Sequence, residues 1–493
     1  MTARQTVKNS ENKNPKFDVD YRVSIGLEVH VQLKTQSKMF CSCSTRFGAA
    51  PNTNVCPVCL GYPGAMPVMN ADAIRLTALS GLIIGASISG YSKFDRKSYF
   101  YPDMPKNYQI TQYDMPLCLG GGVNVDMQEG SKFVRVRRIH LEEDVAKNMH
   151  FSSSSGVDFN RAGVPLMEIV TEPDMDSPEE AYEFLRALKQ MLLYGGVSEG
   201  NLEEGNVRCD VNCSVRPESS EVLGTKTELK NLNTFKGVLN ALKYEVQRQL
   251  DVVVSGGTVG QETRRWDMDK GITYAMRSKE DVHDYRYFPE PDLMPVALSA
   301  EEVDIWKNTL PEMPRERHRR LVEQYSIPDY DAGVLVADKD VADYFETAAK
   351  LSSNPKAVSN WIMTEMLRLL DEAHREIKGT LVTPRSLAKL IDLVDAKTIH
   401  STAAKEVFAI LFNGGGDPET IVKERGLAQV SDTTELKKYI TQVISENAKS
   451  VEDYRRGKKA ALQFLVGQVM RLSRGKANPS MVGEMLTSKL TDS

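Results

Sequence analysis

The feature that most limits how this chain can fold is a change of period near Leu298. From Tyr21 to that point, short runs of alternating apolar and polar residues are broken by Gly, Pro and Asn, with a few amphipathic helices between them. Beyond it strand-like runs nearly vanish, and capped helices follow one another over residues 299–308, 314–325, 339–351 and 355–374. Strands gathered first and helices afterwards imply an α+β chain rather than an alternating α/β one. At 493 residues it exceeds what a single core holds. The composition divides it into a disordered tail at 1–20, a strand-rich domain at 21–298, a helical domain at 299–413 and a small helical tail domain at 414–493.

Several classes fall away. The longest apolar candidate for a membrane span, Ala78 to Ile88, is interrupted by Gly81, Gly85 and Ser87, so no membrane role is indicated. The polar start lacks an apolar signal core, which reads as a cytoplasmic protein, with an organellar transit peptide as the alternative. Seven cysteines, an odd number crowded toward one end, do not form a secreted disulfide framework. A net charge of −5 gives no global attraction for nucleic acid, so any such contact must be a local patch. Patches exist at Lys93, Arg96, Lys97 and Lys106, at Arg135, Arg137 and Arg138, and at Arg455, Arg456, Lys458 and Lys459.

The residues that carry chemistry lie in the strand-rich part. In Ile25-Gly-Leu-Glu-Val-His30, strand alternation sends Glu28 and His30 to one face, either as the start of an active site or as a wet edge strand. Cys41-Ser-Cys43 and Cys56-Pro-Val-Cys59, twelve residues apart across a turn-rich loop, fit tetrahedral thiolate ligation of zinc. Four thiolates close the shell, so this metal is expected to be structural. The stretch from Lys93 to Pro116 interleaves Tyr99, Phe100, Tyr101, Tyr108 and Tyr113 with basic residues, which suits base stacking or, alternatively, a sheet core with a solvated face. Lys97 and Tyr99 share a face there and are site candidates. His140-Leu-Glu-Glu-Asp144 offers an excess of ligands for a hard divalent cation, or is a solvated turn. Glu168, in the middle of the apolar run Val164 to Val170, is costly to bury unless paired or metal-bound.

Arg208, Asp210 and Asn212 share a strand face, with Cys209 and Cys213 expected as buried thiols on the other. No G-x-G-x-x-G or Walker A loop is present, so a nucleotide would depend on carboxylate-bound metal and basic side chains. Near the end, a basic-tipped helix with an apolar stripe at Phe464, Val466/Gly467 and Met470 is either an RNA-touching module or a plain surface helix.

Together these segments resemble one family from Tyr21 to about Leu486, the B subunit of the tRNA-dependent glutamyl/aspartyl amidotransferase. The resemblance is carried by Ile25-GLEVH-Val31, Lys93-FDRKSYFYPD-Met104, His140-LEED-Val145, Val164-PLMEIVTEPD-Met175, Arg208-CDVN-Cys213, Lys226-TELKNLNTF-Lys236, Gln261-ETRR-Trp266 and Asp284-YRYFPEPDL-Met294. Phe464-LVGQVMRLSRGKANP-Ser480 is similar to the family's mobile tail domain. The resemblance implies a cradle-shaped mixed-sheet catalytic domain and an ATP-dependent reaction. Glutamate mischarged on tRNA(Gln), or aspartate on tRNA(Asn), is phosphorylated and then amidated by ammonia. The ammonia is delivered through a channel from a partner glutaminase, the amidase or A subunit, and a small C subunit joins the two. The resemblance places catalytic magnesium ligands on His30, Glu143 and Glu168, and puts Glu28, Lys97, Tyr99 and Asp210 along the same pocket or the ammonia exit. Two rivals remain in view: a non-enzymatic RNA-binding protein, which a ring of carboxylates would hinder, and a free-standing amide ligase acting on a small acid.

Overall fold

The computed structural model describes residues 20–200, 205–276, 285–428, 433–473, 477 and 479–491, and the chain divides into two compact units, Met1–Met313 and Pro314–Ser493. The expected tail (1–20, but for Asp20), Asp284 and part of the basic C-terminal run lie outside the described residues.

The first unit is built on a mixed sheet. Its strands along the main path are β1 (Tyr21–Gln32), β2 (Asp95–Ser98), β3 (Tyr108–Thr111), β4 (Gly130–Glu143), β5 (Pro165–Thr171), β6 (Val207–Pro217), β7 (Thr227–Lys230), β8 (Glu262–Asp267), β9 (Ile272–Ala275) and β10 (Phe288–Pro289). Their spatial order is β9-β8-β7-β6-β1-β5-β4-β3-β2-β10. Along this path only β7 and β8 pair in parallel. A helix joins them, α3 (Phe235–Val254), as a parallel crossover requires. The opening strand β1 thus lies in the middle of the sheet, between β5 and β6, and not at its edge.

One face of the central strands is apolar. Leu27, Val29, Val31, Leu141, Met167, Ile169, Val211 and Cys213 are buried there, and both expected thiols, Cys209 and Cys213, are among the buried residues. Two helices supply much of the rest of this core. Ser177 caps α2 (Pro178–Tyr194) by accepting the Glu180 N–H, and Ala181, Phe184, Leu185, Leu188 and Leu192 form its buried stripe. α2 ends at Gly195–Gly196, where Gly196 takes a positive φ of 65° that a Cβ would resist. In α3, capped by Thr234, the stripe runs through Phe235, Val238, Leu242 and Val246. The earlier helix α1 (Ala71–Ile83) is capped by Asn70, whose side chain accepts the Asp72 and Ala73 N–H groups, and it ends just before Gly85, which adopts a positive φ of 72°.

The first core continues past Leu298. α4 (Ala300–Lys307), closed by a Ser299–Glu302 capping box, is followed by Leu310 and Met313, and these two with Trp306 pack against the same core. Burial sets this limit, and composition did not reveal it.

In the second unit two clusters form. One runs from Leu321 to Val422 and takes in helix Pro418–Arg425, and the other links Leu436 with Leu490. Pro418 to Arg425 therefore packs with the preceding helices, although the composition places it beyond the 414 division. The run expected as one helix from Pro355 to His374 contains a π-helical turn at Ile362–Met366. In the helix Lys459–Leu472 the buried stripe is Leu465 and Val469, one residue off the expected one, and Phe464 is 48% exposed.

Candidate active site

Strand register assembles the site. His30 stands opposite Arg208 on one side and Glu168 on the other, and Glu168 stands opposite His140, so four side chains from β6, β1, β5 and β4 lie in one row. Residues directly opposed in a sheet point to the same face. In the adjoining rows Glu28 opposes Asp210, and Gln32, Leu166 and Glu142 align. The polar face of the opening strand is therefore the floor of the candidate site, backed by the apolar core.

The donor atoms converge. His30 Nε2 lies 3.4 Å from Glu168 Oε2 and 3.6 Å from Glu142 Oε1, and His140 Nε2 lies 3.4 Å from that same Glu168 oxygen. Donor atoms of His30, Glu142 and Glu168 all fall within 4.8 Å of one another, a group that could hold a metal ion. His140 Nδ1 is buried and has no hydrogen-bond partner among the described residues. Burial works against a charge on His30, but its hydrogen bond to Glu168 and the charges of Glu142 and Glu168 lift its pKa to about 9. For Glu168, burial is outweighed by the two imidazoles, which hold it well below the usual carboxylate range. Glu142 is pushed up, first by burial, with His30 pulling the other way and Glu168 adding to the rise. Positive charge stabilises this pocket, whether it comes from imidazolium or from a cation.

Glu143 does not belong to this group. It follows Glu142 in β4 and so points through the opposite face, where Oε2 takes a 2.6 Å ion pair from Lys106 Nζ and Oε1 accepts the Ile110 N–H at 3.0 Å. The three acids of His140-Leu-Glu-Glu-Asp144 split by parity, with Glu142 and Asp144 on the site face and Glu143 behind it. Asp144 holds the rim: it accepts Arg208 Nη2 at 2.6 Å and Gln32 Nε2 at 2.8 Å. Burial alone would raise it, yet Arg208, Arg161 and Gln32 keep it below its ordinary value.

The remaining candidates are distributed around the cluster. The amide of Asn212 donates to Glu28 Oε1 at 3.1 Å, and burial, then Glu168 and Asp210, push Glu28 up. Asp210 pairs with Lys230 at 2.8 Å. Lys97 shares the site face through the Asp95–Thr111–Glu142 alignment and lies over the Tyr285 ring, 4.7 Å from its centroid. Tyr99 sits outside the cluster, 6.0 Å from the Tyr101 ring, and burial with Asp103 nearby raises its phenol to about 12. Of the aromatics from 99 to 113 only Tyr108 packs against the core, and Phe100, Tyr101 and Tyr113 are exposed. Instead Tyr113 stacks on Tyr287 with centroids 4.0 Å apart, and Tyr287 is close enough to Glu168 and Glu142 for their charges to raise its phenol after burial does. The sequence offered the whole His140–Asp144 run as ligands and the resemblance chose Glu143 from it; counting alternate residues back from Asp144 reaches Glu142 and His140, whereas nothing in the sequence singled out Tyr287.

The cysteines form a second centre. Sulfurs of Cys41, Cys43, Cys56 and Cys59 lie within 4.8 Å of one another, with Cys56 and Cys59 3.9 Å apart. Tetrahedral zinc–thiolate bonds of about 2.3 Å require sulfurs about 3.8 Å apart, so the set fits such an ion. Cys59 is drawn down to about 4, first by a hydrogen bond from the Cys41 thiol and further by Lys38, while burial and its neighbours push Cys43 up to about 11.

A sheet carrying this imidazole and carboxylate floor, followed in sequence by a helical unit, defines a class: residues 23–304 match the model of the GatB/GatE catalytic domain, and residues 343–490 match that of the GatB domain. Among curated proteins, the chain is 51% identical over 472 residues to an aspartyl/glutamyl-tRNA(Asn/Gln) amidotransferase B subunit from Thermoanaerobacter pseudethanolicus, covering 96% of this chain and 99% of the relative. Proteins of the same name from Caldicellulosiruptor saccharolyticus and Myxococcus xanthus are 50% and 49% identical, each over 96% of this chain and 99% of their own length. The chain belongs to the family of aspartyl/glutamyl-tRNA(Asn/Gln) amidotransferase B subunits.

Proposed function

We propose that this chain is the part of a glutamine-dependent carbon–nitrogen ligase that converts the glutamate of Glu-tRNA(Gln), the aspartate of Asp-tRNA(Asn), or both, into the amide. The observation that carries the reading is the convergence of His30, Glu142 and Glu168 on one sheet face in a chain of this family. A carboxylate is a poor acyl electrophile. Transfer of the terminal phosphoryl group of ATP to its oxygen creates a leaving group, and ammonia attacking the acyl carbon then expels phosphate.

Phosphoryl transfer asks the protein for positioning and charge neutralisation more than for covalent chemistry. One imidazole and two carboxylates, 3.4–3.6 Å apart, fit a hard divalent cation that keeps part of its water shell, and His30, Glu142 and Glu168 would hold Mg2+. Such an ion supplies charge neutralisation at the phosphates. Around it the chain's own groups orient the reactants. Arg208 and Gln32 fix Asp144 at the rim, His140 fixes the Glu168 oxygen, and Lys97 with Tyr285 and Tyr287 forms a basic and aromatic wall for an incoming adenosine. Ammonia comes from a partner glutaminase, with a small third protein joining the assembly, and the helices from 414 onward contact tRNA. The four cysteines hold a structural zinc.

The test is tRNA-dependent ATP turnover and amide formation by the chain reconstituted with a partner amidase. Both should require mischarged tRNA and a divalent cation. Turnover on free glutamate without tRNA, or none with it, would overturn the reading.

A further inference from the structure

Lys38 is one of the largest fully buried side chains, with 0% exposure. A buried ammonium is costly unless it is paired. Among the described residues no carboxylate lies within ion-pair distance of it. Its Nζ contacts Cys59 Sγ at 3.5 Å and donates to the carbonyl of Phe159 at 3.2 Å. One side of this contact is the cysteine centre. The other is the turn that leads into β5, the strand of Glu168.

The same two segments are clasped elsewhere by other groups. Asn52 donates its side-chain amide to the Val157 carbonyl, accepts the Phe159 N–H and gives its own N–H to Asp158. Asn160 accepts the Asn54 N–H at 2.8 Å and donates to Ala50. Met39 N–H donates to Gly163 O at 2.7 Å, and Gly163 N–H to Asp144 O at 2.9 Å. Gly163, at a φ of 85°, packs beside this junction, where a Cβ would stand in ordinary contact with Lys38 Cδ at 3.5 Å and Cys59 Cβ at 3.6 Å. Lys38 brings the positive charge that touches a cysteine sulfur.

We propose that Lys38 is the positioning residue of the cysteine centre: its ammonium balances the thiolate set and ties it to the Phe159–Gly163 turn. The proposal rests on the reading of the four cysteines as a zinc site. Four thiolates around a divalent cation leave two negative charges at a partly buried place, with Cys59 its buried member, and one ammonium halves that excess. By bridging Cys59 and Phe159 the same group makes order in the turn before β5 depend on metal occupancy.

The test uses the full chain loaded with Zn2+ and titrated with a chromogenic chelator. Lys38→Met keeps the bulk and removes the charge, and should weaken Zn2+ retention about 10- to 100-fold, the range for groups that orient metal ligands. Asn52→Ala loosens the same junction without touching the ammonium and should retain Zn2+ close to wild type. Equal retention by Lys38→Met and wild type, or an equal loss in Asn52→Ala, overturns the role of Lys38. A wild-type chain that takes up no Zn2+ overturns the zinc reading itself, and the proposal with it. Should Lys38→Met fail to fold, hydrogen exchange of the wild type decides. Removing Zn2+ should deprotect the amides of Phe159 and Gly163, and unchanged protection refutes the link.

Discussion

Replacing Glu142 with Gln should cripple the response to magnesium, whereas the same change at its neighbour Glu143 should not. Glu142 Oε1 stands 3.6 Å from His30 Nε2, and His30 stands 3.4 Å from Glu168, so a cation among them lies within about 4 Å of the Glu142 charge. At an effective dielectric of about 20, a carboxylate and a divalent cation at that distance attract by about 8 kcal/mol; stripping water from both ions offsets about half of this, leaving about 4 kcal/mol, about a thousandfold in affinity. The Gln amide keeps one oxygen as a ligand, which brings the expected loss to about 100- to 1,000-fold. Glu143 instead pairs with Lys106 at 2.6 Å through the other face, so Glu143→Gln leaves the three donors whole. The assay is the Mg2+ concentration giving half-maximal tRNA-dependent ATP turnover in the reconstituted complex, with near-ultraviolet circular dichroism to confirm folding. If Glu143→Gln shifts that concentration and Glu142→Gln does not, the ligand set read from strand parity is wrong.

Four further outcomes are expected. Phe184→Ala, which empties a fully buried position between α2 and the sheet, should destabilise the first unit by about 3–5 kcal/mol in urea unfolding. Arg208→Met removes the closest cation from buried Asp144 but leaves Gln32 at 2.8 Å and Arg161 at 3.7 Å, so the loss should be about 1–3 kcal/mol, and no loss would show that the pair is dispensable. In the second unit burial would raise Glu346, yet Arg320 and Arg317 hold it below its ordinary value. Its stabilising contribution is therefore complete above the unfolded carboxylate pKa of about 4.3 and vanishes as pH falls through the lower folded value. Wild type and Glu346→Gln should differ near neutrality and converge in acid, and parallel stability profiles would refute this. Cys56→Ser should lower metal content and melting temperature more than turnover per folded molecule, and a collapse of turnover alone would place the metal near the chemistry.

Much of this was legible along the chain because it is local. Caps at Asn70, Ser177 and Ser299, glycine stops, the Cys41–Cys59 spacing and the lone acid in the apolar run at Glu168 declare themselves within a few residues, since capping, turn geometry and period-two alternation act over that range. The α+β order of strands before helices was equally plain, as was the family the motifs resemble. The boundary near 298 was drawn from composition, and it missed the packing of Trp306, Leu310 and Met313 against the first core.

What only the tertiary structure decided is which residues meet. Alternation tells which side chains of one strand share a face, but not which strand lies beside it, because pairing is settled by burial across the whole sheet. Ile25-Gly-Leu-Glu-Val-His30 by itself could be an edge; set between β5 and β6, it brings His30 against Glu168, a residue 138 positions away, and places Glu142 rather than Glu143 beside them. Lys38 reads as an ordinary lysine in a polar stretch until the fold closes over it and leaves Cys59 and a carbonyl as its partners. The sequence by itself determined most of the elements, the four-cysteine spacing, the candidates His30 and Glu168, and the family. The fold decided the contacts, because the free energy of burying a charge depends on what the rest of the chain places around it.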